Sequence, residues 1–286
     1  MNNLLVGTIK LATVIREIDT GYVLDVDDHE VLLHYNDMNE EEKLSEEEDI
    51  NVFLYNDKND RIVATTIIPR IDRETFGWAE VINVIPKLGA FVDIGTTKEI
   101  LVSVDDLPLY PEVWPIEHDF LYVTLGEDRR GRLLAIPATE YQIEPIFEPA
   151  EEIELNDPVS GTVFYTNREG AAFLTEDNVR GFIHESERDS EPRLGELIEG
   201  RVIEVKEDGT LNVSLHPLKE ERIESDSEVI LAYLKINDGK MAYNDKSNPD
   251  DIREVFGMSK SAFKRALGNL MRERIINQDD SNTFLV

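Results

Sequence analysis

The sequence predicts a mainly β fold: three tandem five-stranded barrels, followed by an α+β winged helix-turn-helix domain. A strand–glycine–strand pattern recurs three times at nearly constant spacing, and beyond residue 226 the apolar periodicity changes from that of strands to that of helices. Internal repetition takes precedence over local reading, because each repeat is one supersecondary unit.

The repeats begin at Gly21 (GYVLDV), Gly89 (GAFVDI) and Gly170 (GAAFL), and each continues into a short apolar strand with a polar end: Val31 to His34, Ile100 to Ser103, and Gly181 to His184. From glycine to that last residue the spacing is 13, 14 and 14. A β-branched strand precedes each glycine, near Thr8, Val81 and Val163, and two more strands follow. In the third unit those two flank the hairpin signal Glu207-Asp-Gly209. Five short strands, with a glycine where the sheet must bend, suit a small closed barrel of OB type. Closure also removes the exposed sheet edges that promote aggregation.

Punctuation divides the units. Pro69 to Glu74 ends the first, and the Pro- and Glu-rich stretch from Glu144 to Pro158 ends the second. The barrels are therefore expected at 1–70, 71–145 and 146–222, with the winged helix at 223–286. The acidic stretch from Met38 to Asp49 reads as a solvated helix between strands.

In the last segment, Val229, Ile230, Tyr233 and Leu234 suggest the apolar face of a first helix, and Lys240 to Tyr243 a short strand. Ser247 or Asn248 then caps a second helix, with Pro249 and two aspartates in its first turn and Gly257 as its stop. Ser259 caps a third helix, whose apolar face carries Phe263, Leu267, Leu270 and Met271. At 100° per residue, Ser261, Lys264, Arg265, Gly268 and Arg272 fall on the opposite side, with Lys260 in the first turn. A hairpin at 275–286 closes the order expected of a winged helix.

Charge is partitioned unevenly. The chain has 60 acidic and 29 basic side chains, a formal charge of −31. Beyond residue 224 there are nine basic and ten acidic side chains, so nearly all of the excess belongs to the barrels. Such a field repels polyanions, but screening confines it to about 8 Å at physiological salt. A local cationic face can therefore still hold phosphates. Such a face can equally be ordinary solvated surface, or the docking face of a protein-binding winged helix.

These residues resemble the S1 RNA-binding domain pattern. The third unit matches best, with Gly161-Thr-Val, Gly170-Ala-Ala-Phe, Gly181-Phe-Ile-His-Glu-Ser and Gly195-Glu-Leu-Ile-Glu-Gly-Arg-Val. Three S1-like units plus a winged helix, covering essentially the whole chain, resemble the conserved virulence factor B family of Gram-positive bacteria. That resemblance implies an RNA-binding protein regulating gene expression and virulence factors. An S1 barrel that grips RNA usually presents two aromatics and a histidine on one face. Here the first aromatic position holds Thr20, Leu88 or Glu169, the second Val23, Phe91 or Ala172, and the histidine position His34, Ser103 or His184. No unit keeps all three. The second unit adds a basic turn at the loop OB barrels often use for ligands, with Arg129, Arg130 and Arg132, which reads as either a phosphate contact or solvated turn arginines. His34 reads as a hydrogen-bonded strand end; His184 is open between that and an RNA contact. The candidate RNA-binding residues are thus Phe91, Arg129, Arg130, Arg132, His184, Lys260, Ser261, Lys264, Arg265 and Arg272.

Catalytic signatures are missing: there is no phosphate-binding GxxxxGK, HExxH or GxSxG. Cysteine is absent, and histidines 29, 34, 118, 184 and 216 show no ligand spacing. A non-enzymatic protein without a cofactor, metal or small-molecule substrate is expected. No apolar run approaches the roughly 20 residues needed to span a bilayer, and MNNLLVGTIK lacks signal-peptide features, so the expected compartment is the cytoplasm. The expected partner is single-stranded RNA. The alternatives are a basic protein docked on acidic barrels that have lost RNA binding, or duplex DNA bound by the winged helix.

Overall fold

The computed structural model describes residues 4–39, 43–217, 219–279 and 281–286. The chain divides into two compact units, Met1–Leu215 and His216–Val286.

The first unit contains three closed barrels. The first comprises β1 (Ile9–Ile18), β2 (Gly21–Val26), β3 (His29–His34), β4 (Asp49–Asn56) and β5 (Ile62–Thr65). The second comprises β6 (Gly77–Ile85), β7 (Gly89–Asp93), β8 (Ile100–Ser103), β9 (Phe120–Glu127) and β10 (Leu133–Pro137). A four-residue helix, α1 (Glu140–Ile143), follows. The third has β11 (Pro158–Thr166), β12 (Gly170–Leu174), β13 (Arg180–His184), β14 (Leu197–Val205) and β15 (Leu211–Ser214). All three share one order around the barrel, first-second-third-fifth-fourth. In each, the third and fifth strands run parallel while the other pairs described are antiparallel.

The repeat extends to irregularities. The first strand of every barrel shifts register at one place: between Val14 and Arg16, Val81 and Asn83, and Val163 and Tyr165. A bulge there lets a long strand bend enough to pair on both sides of a small barrel. The repeat glycines have a different cause from the expected bend. Gly21 has φ +152°, and a Cβ on it would lie 2.0 Å from the Leu33 carbonyl oxygen; Gly89, at φ +129°, would meet that of Val102 at the same distance. The neighbouring strand passes too close for any side chain.

Inward-facing apolar residues fill each barrel, and the barrels also share cores. Val6, Phe53, Tyr55 and Val63 from the first barrel join the cluster around Val81, Val92, Val102 and Val123 in the second. Between the second and third, Ala138, Ile143, Phe164, Ala172 and Leu174 form another buried group. The connecting segments are packed rather than loose. Ile71 is buried, and the Arg73 guanidinium donates to the Val6 carbonyl. Thr139 and Gln142 form a capping box on α1, whose Ile143 is buried.

The acidic stretch read as a helix, Met38 to Asp49, contains residues 40–42, which lie outside the described residues. Its described remainder is not helical: Glu47 adopts φ 65° in a turn, and Asp49 already opens β4. Without an apolar stripe to bury, a short charged stretch gains too little from packing to hold a helix.

The second unit runs α2 (Lys219–Ile236), β16 (Lys240–Met241), α3 (Pro249–Phe256), α4 (Lys260–Arg272), β17 (Ile276–Gln278) and β18 (Thr283–Leu285), with strand order β16-β18-β17. This is a winged helix. Asn248 caps α3 through the Asp250 amide, Pro249 occupies its first turn, and Gly257 ends it with φ 67°. Ile230, Leu234, Ile252, Phe256, Phe263, Leu267 and Leu270 build its core. Two details differ from expectation. Helix α2 begins before Asp226, and its buried side includes Ser227 rather than Val229, which is exposed. Met271, assigned to the apolar face of α4, is exposed as well. Among the described residues, no helix is long and apolar enough to cross a membrane.

Candidate nucleic-acid interface

Helix α4 is capped by Ser259, whose hydroxyl accepts from the Ala262 amide at 3.2 Å. Ala262, Phe263, Ala266, Leu267 and Leu270 are buried, which turns the other side to solvent. Ser261, Lys264, Arg265, Gly268 and Arg272 are exposed there, and Lys260 is half-buried at the helix start. Lys260 lies 3.5 Å from the Lys246 carbonyl, and Arg272 donates to the Asn269 side chain. Among the described residues, none of these cations forms an ion pair. The free amides of the first turn add partial positive charge to the same end.

The barrels treat their cations differently. Lys10 pairs with Asp27, Arg16 with Glu30, Arg61 with Asp57, Arg73 with Glu127, Arg132 with Asp128, Arg180 with Glu140, Arg188 with Glu191, and Arg193 with both Asp119 and Glu196. These eight of the eighteen barrel cations are committed to internal carboxylates. Those on α4 have no carboxylate partner among the described residues.

The β9–β10 turn shows how. The Asp128 carboxylate accepts from the amides of Arg130 (2.8 Å) and Arg132 (3.0 Å), and its other oxygen holds the Arg132 guanidinium. Burial works against ionisation of Asp128, but these bonds from Arg132 and Arg130 hold its carboxyl below the usual range. Asp57 and Arg61 repeat the arrangement in the first barrel, with the same balance and direction for Asp57. Arg132 is thus a turn fastener as well as a surface cation. Arg129 and Arg130 are exposed, with no ion pair among the described residues.

Phe91 and Arg132 converge. With Leu88, Lys98 and Leu134 they line a cleft of about 270 Å³. Lys98 crosses to the first barrel, donating to the carbonyls of Asn56 (2.6 Å) and Asp57 (3.3 Å), and burial lowers the pKa of its ammonium. The sequence reading missed Lys98. Its one signal is a lone lysine in the β7–β8 connection, and its role depends on a neighbouring barrel 42 residues away in sequence.

His184 is exposed at the end of β13. Its Nδ1 accepts from the Ser186 amide at 3.2 Å and caps a single 3₁₀ turn. His34 does the same through Asn36, and Ser103 through Asp105. The second aromatic position is buried in two barrels, as Val23 and Ala172, leaving Phe91 as the half-exposed ring of the three. The candidates therefore fall into three places: α4, the Phe91 cleft with its arginine turn, and the His184 cap.

Family models match four consecutive segments: an S1 domain over residues 6–67, a CvfB first S1-like domain over 76–136, the second domain of virulence regulatory factor CvfB over 143–217, and a CvfB-like winged helix domain over 228–285. The uncharacterized protein YitL of Bacillus subtilis (strain 168) is 44% identical over 268 residues, covering 94% of this chain and 89% of that protein. Conserved virulence factor B of Staphylococcus aureus (strain USA300) is 36% identical over 275 residues, covering 96% and 91%. A crystal structure from Streptococcus pneumoniae, described as a multidomain protein with nucleic acid binding domains, is similar over 98% of both chains, at 37% identity and a TM-score of 0.67.

Proposed function

The chain belongs to the conserved virulence factor B family, and from that premise we propose that it is a non-enzymatic, RNA-binding regulator of gene expression. Single-stranded RNA is held through its phosphates by α4, and the second and third barrels offer contacts of their own to its bases. One observation carries this reading: Lys264, Arg265 and Arg272 share one exposed side of α4 and form no ion pair among the described residues, whereas eight of the eighteen barrel cations are tied to carboxylates. Free guanidinium and ammonium groups release counterions when they meet phosphates, which is the main sequence-independent source of affinity. In the barrels, the Phe91 ring offers a stacking surface next to the Arg132 guanidinium.

Fluorescence anisotropy with a labelled single-stranded RNA, titrated over a range of salt, tests it. The wild-type chain binds, and binding weakens as salt rises. The double variant Lys264→Glu/Arg265→Glu binds more weakly, and its log–log salt slope is shallower by about 1.4, since each phosphate contact to a single strand contributes about 0.7. Equal affinity of variant and wild type would remove α4 from the interface. Preference for duplex DNA over RNA of equal length would change the class of ligand.

A further inference from the structure

We propose that Tyr110 is a stacking platform for a nucleobase, lent by the second barrel to the third. It rests on the RNA-binding reading above and adds a site outside the usual S1 aromatic positions. The third barrel has Glu169 and Ala172 at those positions, and Ala172 is fully buried. Its own face therefore has no ring at either place.

The β8–β9 connection supplies one. Leu109 is 85% exposed and Tyr110 67% exposed, an unfavourable display of apolar surface in water. It is also a rigid display. The Trp114 indole nitrogen donates to the Pro108 carbonyl at 2.6 Å. The amides of Val113 and Trp114 bond back to Tyr110 and Pro111, and the Val113 carbonyl accepts from the Leu194 amide at 2.9 Å. Pro108 and Pro111, on either side of Tyr110, further restrict the backbone. A ring held in the open by a fixed loop loses little freedom when a ligand covers it.

Tyr110 lines a cleft of about 650 Å³ together with Asn167 and Arg168 of the β11–β12 turn and with Glu185. The Glu185 amide bonds to the Glu169 carbonyl at 3.0 Å. The cleft therefore lies along the edge of the third barrel where the missing aromatic would stand, next to His184. Arg168 is exposed and forms no ion pair among the described residues. Its guanidinium is the phosphate anchor, and the ring takes the base. The carboxylates of Glu112, Glu185 and Glu191 also line the cleft, the last paired with Arg188; they repel phosphate but accept hydrogen bonds from exocyclic amines. The ligand is accordingly a nucleotide with an amino-bearing base, such as adenine or cytosine, whose amino group offers the carboxylates two hydrogens where uracil offers a single N3–H.

Short oligo(A), oligo(C) and oligo(U) of about 12 nucleotides, within the usual span of one or two barrels, are titrated against the full chain and three variants. Tyr110→Ala weakens oligo(A) and oligo(C) about 5- to 150-fold, the range for one stacked base, and Tyr110→Phe restores binding to within about twofold. Arg168→Glu weakens the same ligands and flattens the salt dependence. Thermal melts matching wild type establish that the variants are folded. If Tyr110→Ala binds oligo(A) as wild type does while Lys264→Glu/Arg265→Glu binds weakly, this site is overturned and the RNA reading stands. If wild type binds no oligonucleotide at low salt, the RNA reading itself fails. Oligolysine binding that depends on Tyr110, with RNA binding untouched, would make the loop a protein-docking element and also overturn the proposal.

Discussion

His34, Ser103 and His184 share a position in the repeat, and each spends a side-chain acceptor on the amide two residues further on. This accounts for a polar residue ending the third strand whether or not RNA is touched. With Nδ1 of His184 engaged by Ser186, Nε2 is the ring nitrogen left for a ligand. Replacing His184 by Ala removes the cap and costs about 1 kcal/mol of stability, while Asn, a good capping residue, restores it. If His184 also contacts RNA, His184→Asn recovers the melting temperature but not the affinity. Anisotropy and thermal melts on the two variants separate the roles.

Asp57 and Asp128 extend the argument to pH. Both carboxyls are held below their ordinary range, burial being outweighed by donors from the turn and its arginine. A group depressed in the folded state stabilises it above the unfolded pKa, near 4 for Asp, and that stabilisation is lost as pH falls through the folded value. Melting curves of wild type and Asp57→Asn/Asp128→Asn should therefore differ most near neutrality and converge in acid. The pairs are solvent-facing, so the gap is small.

Among the elements, α4 was the most legible in advance. Ser259 as cap, Gly257 as the preceding stop and the apolar spacing of Phe263, Leu267 and Leu270 are local signals, and they fixed which side would face water. Lys264 and Arg265 fall where that spacing put them, which is why their charge reversal is the sharpest probe of the helix. Helix α2 was less legible. Its first turns are charged and carry no apolar stripe, so they read as linker, although Ser227 is buried and bonds back to the Ile223 carbonyl. Met271 failed for a related reason: periodicity says which way a side chain points, not how far the neighbouring elements extend to cover it.

At the level of the molecule, the three-fold repeat was legible because each barrel repeats its glycine and its strand spacing within one short stretch. The contacts between barrels were not. Asn56 makes the point: its Oδ1 accepts from the Leu133 amide at 2.7 Å and its Nδ2 donates to the Gly131 carbonyl, across 77 and 75 residues of sequence. Nothing near Asn56 announces that partner. Asn56→Ala leaves a buried amide without an acceptor and is expected to cost about 1–3 kcal/mol, measurable by denaturant unfolding, with the Phe91 cleft perturbed because Asn56 also lines it. The same long-range pairing brings Phe91, Lys98 and Arg132 to one place, of which sequence supplied two.

The apolar residues that the first barrel contributes to the second bear on how such a protein can be taken apart. Val6, Phe53, Tyr55 and Val63 roof a flank of the second barrel, so a fragment beginning at residue 76 would carry a greasy scar where its neighbour had been. Loss of RNA affinity in such a truncation would report a damaged fragment as readily as a missing contact. Dissection by point substitution on exposed side chains leaves that roof in place, and is the sounder way to divide labour among the barrels.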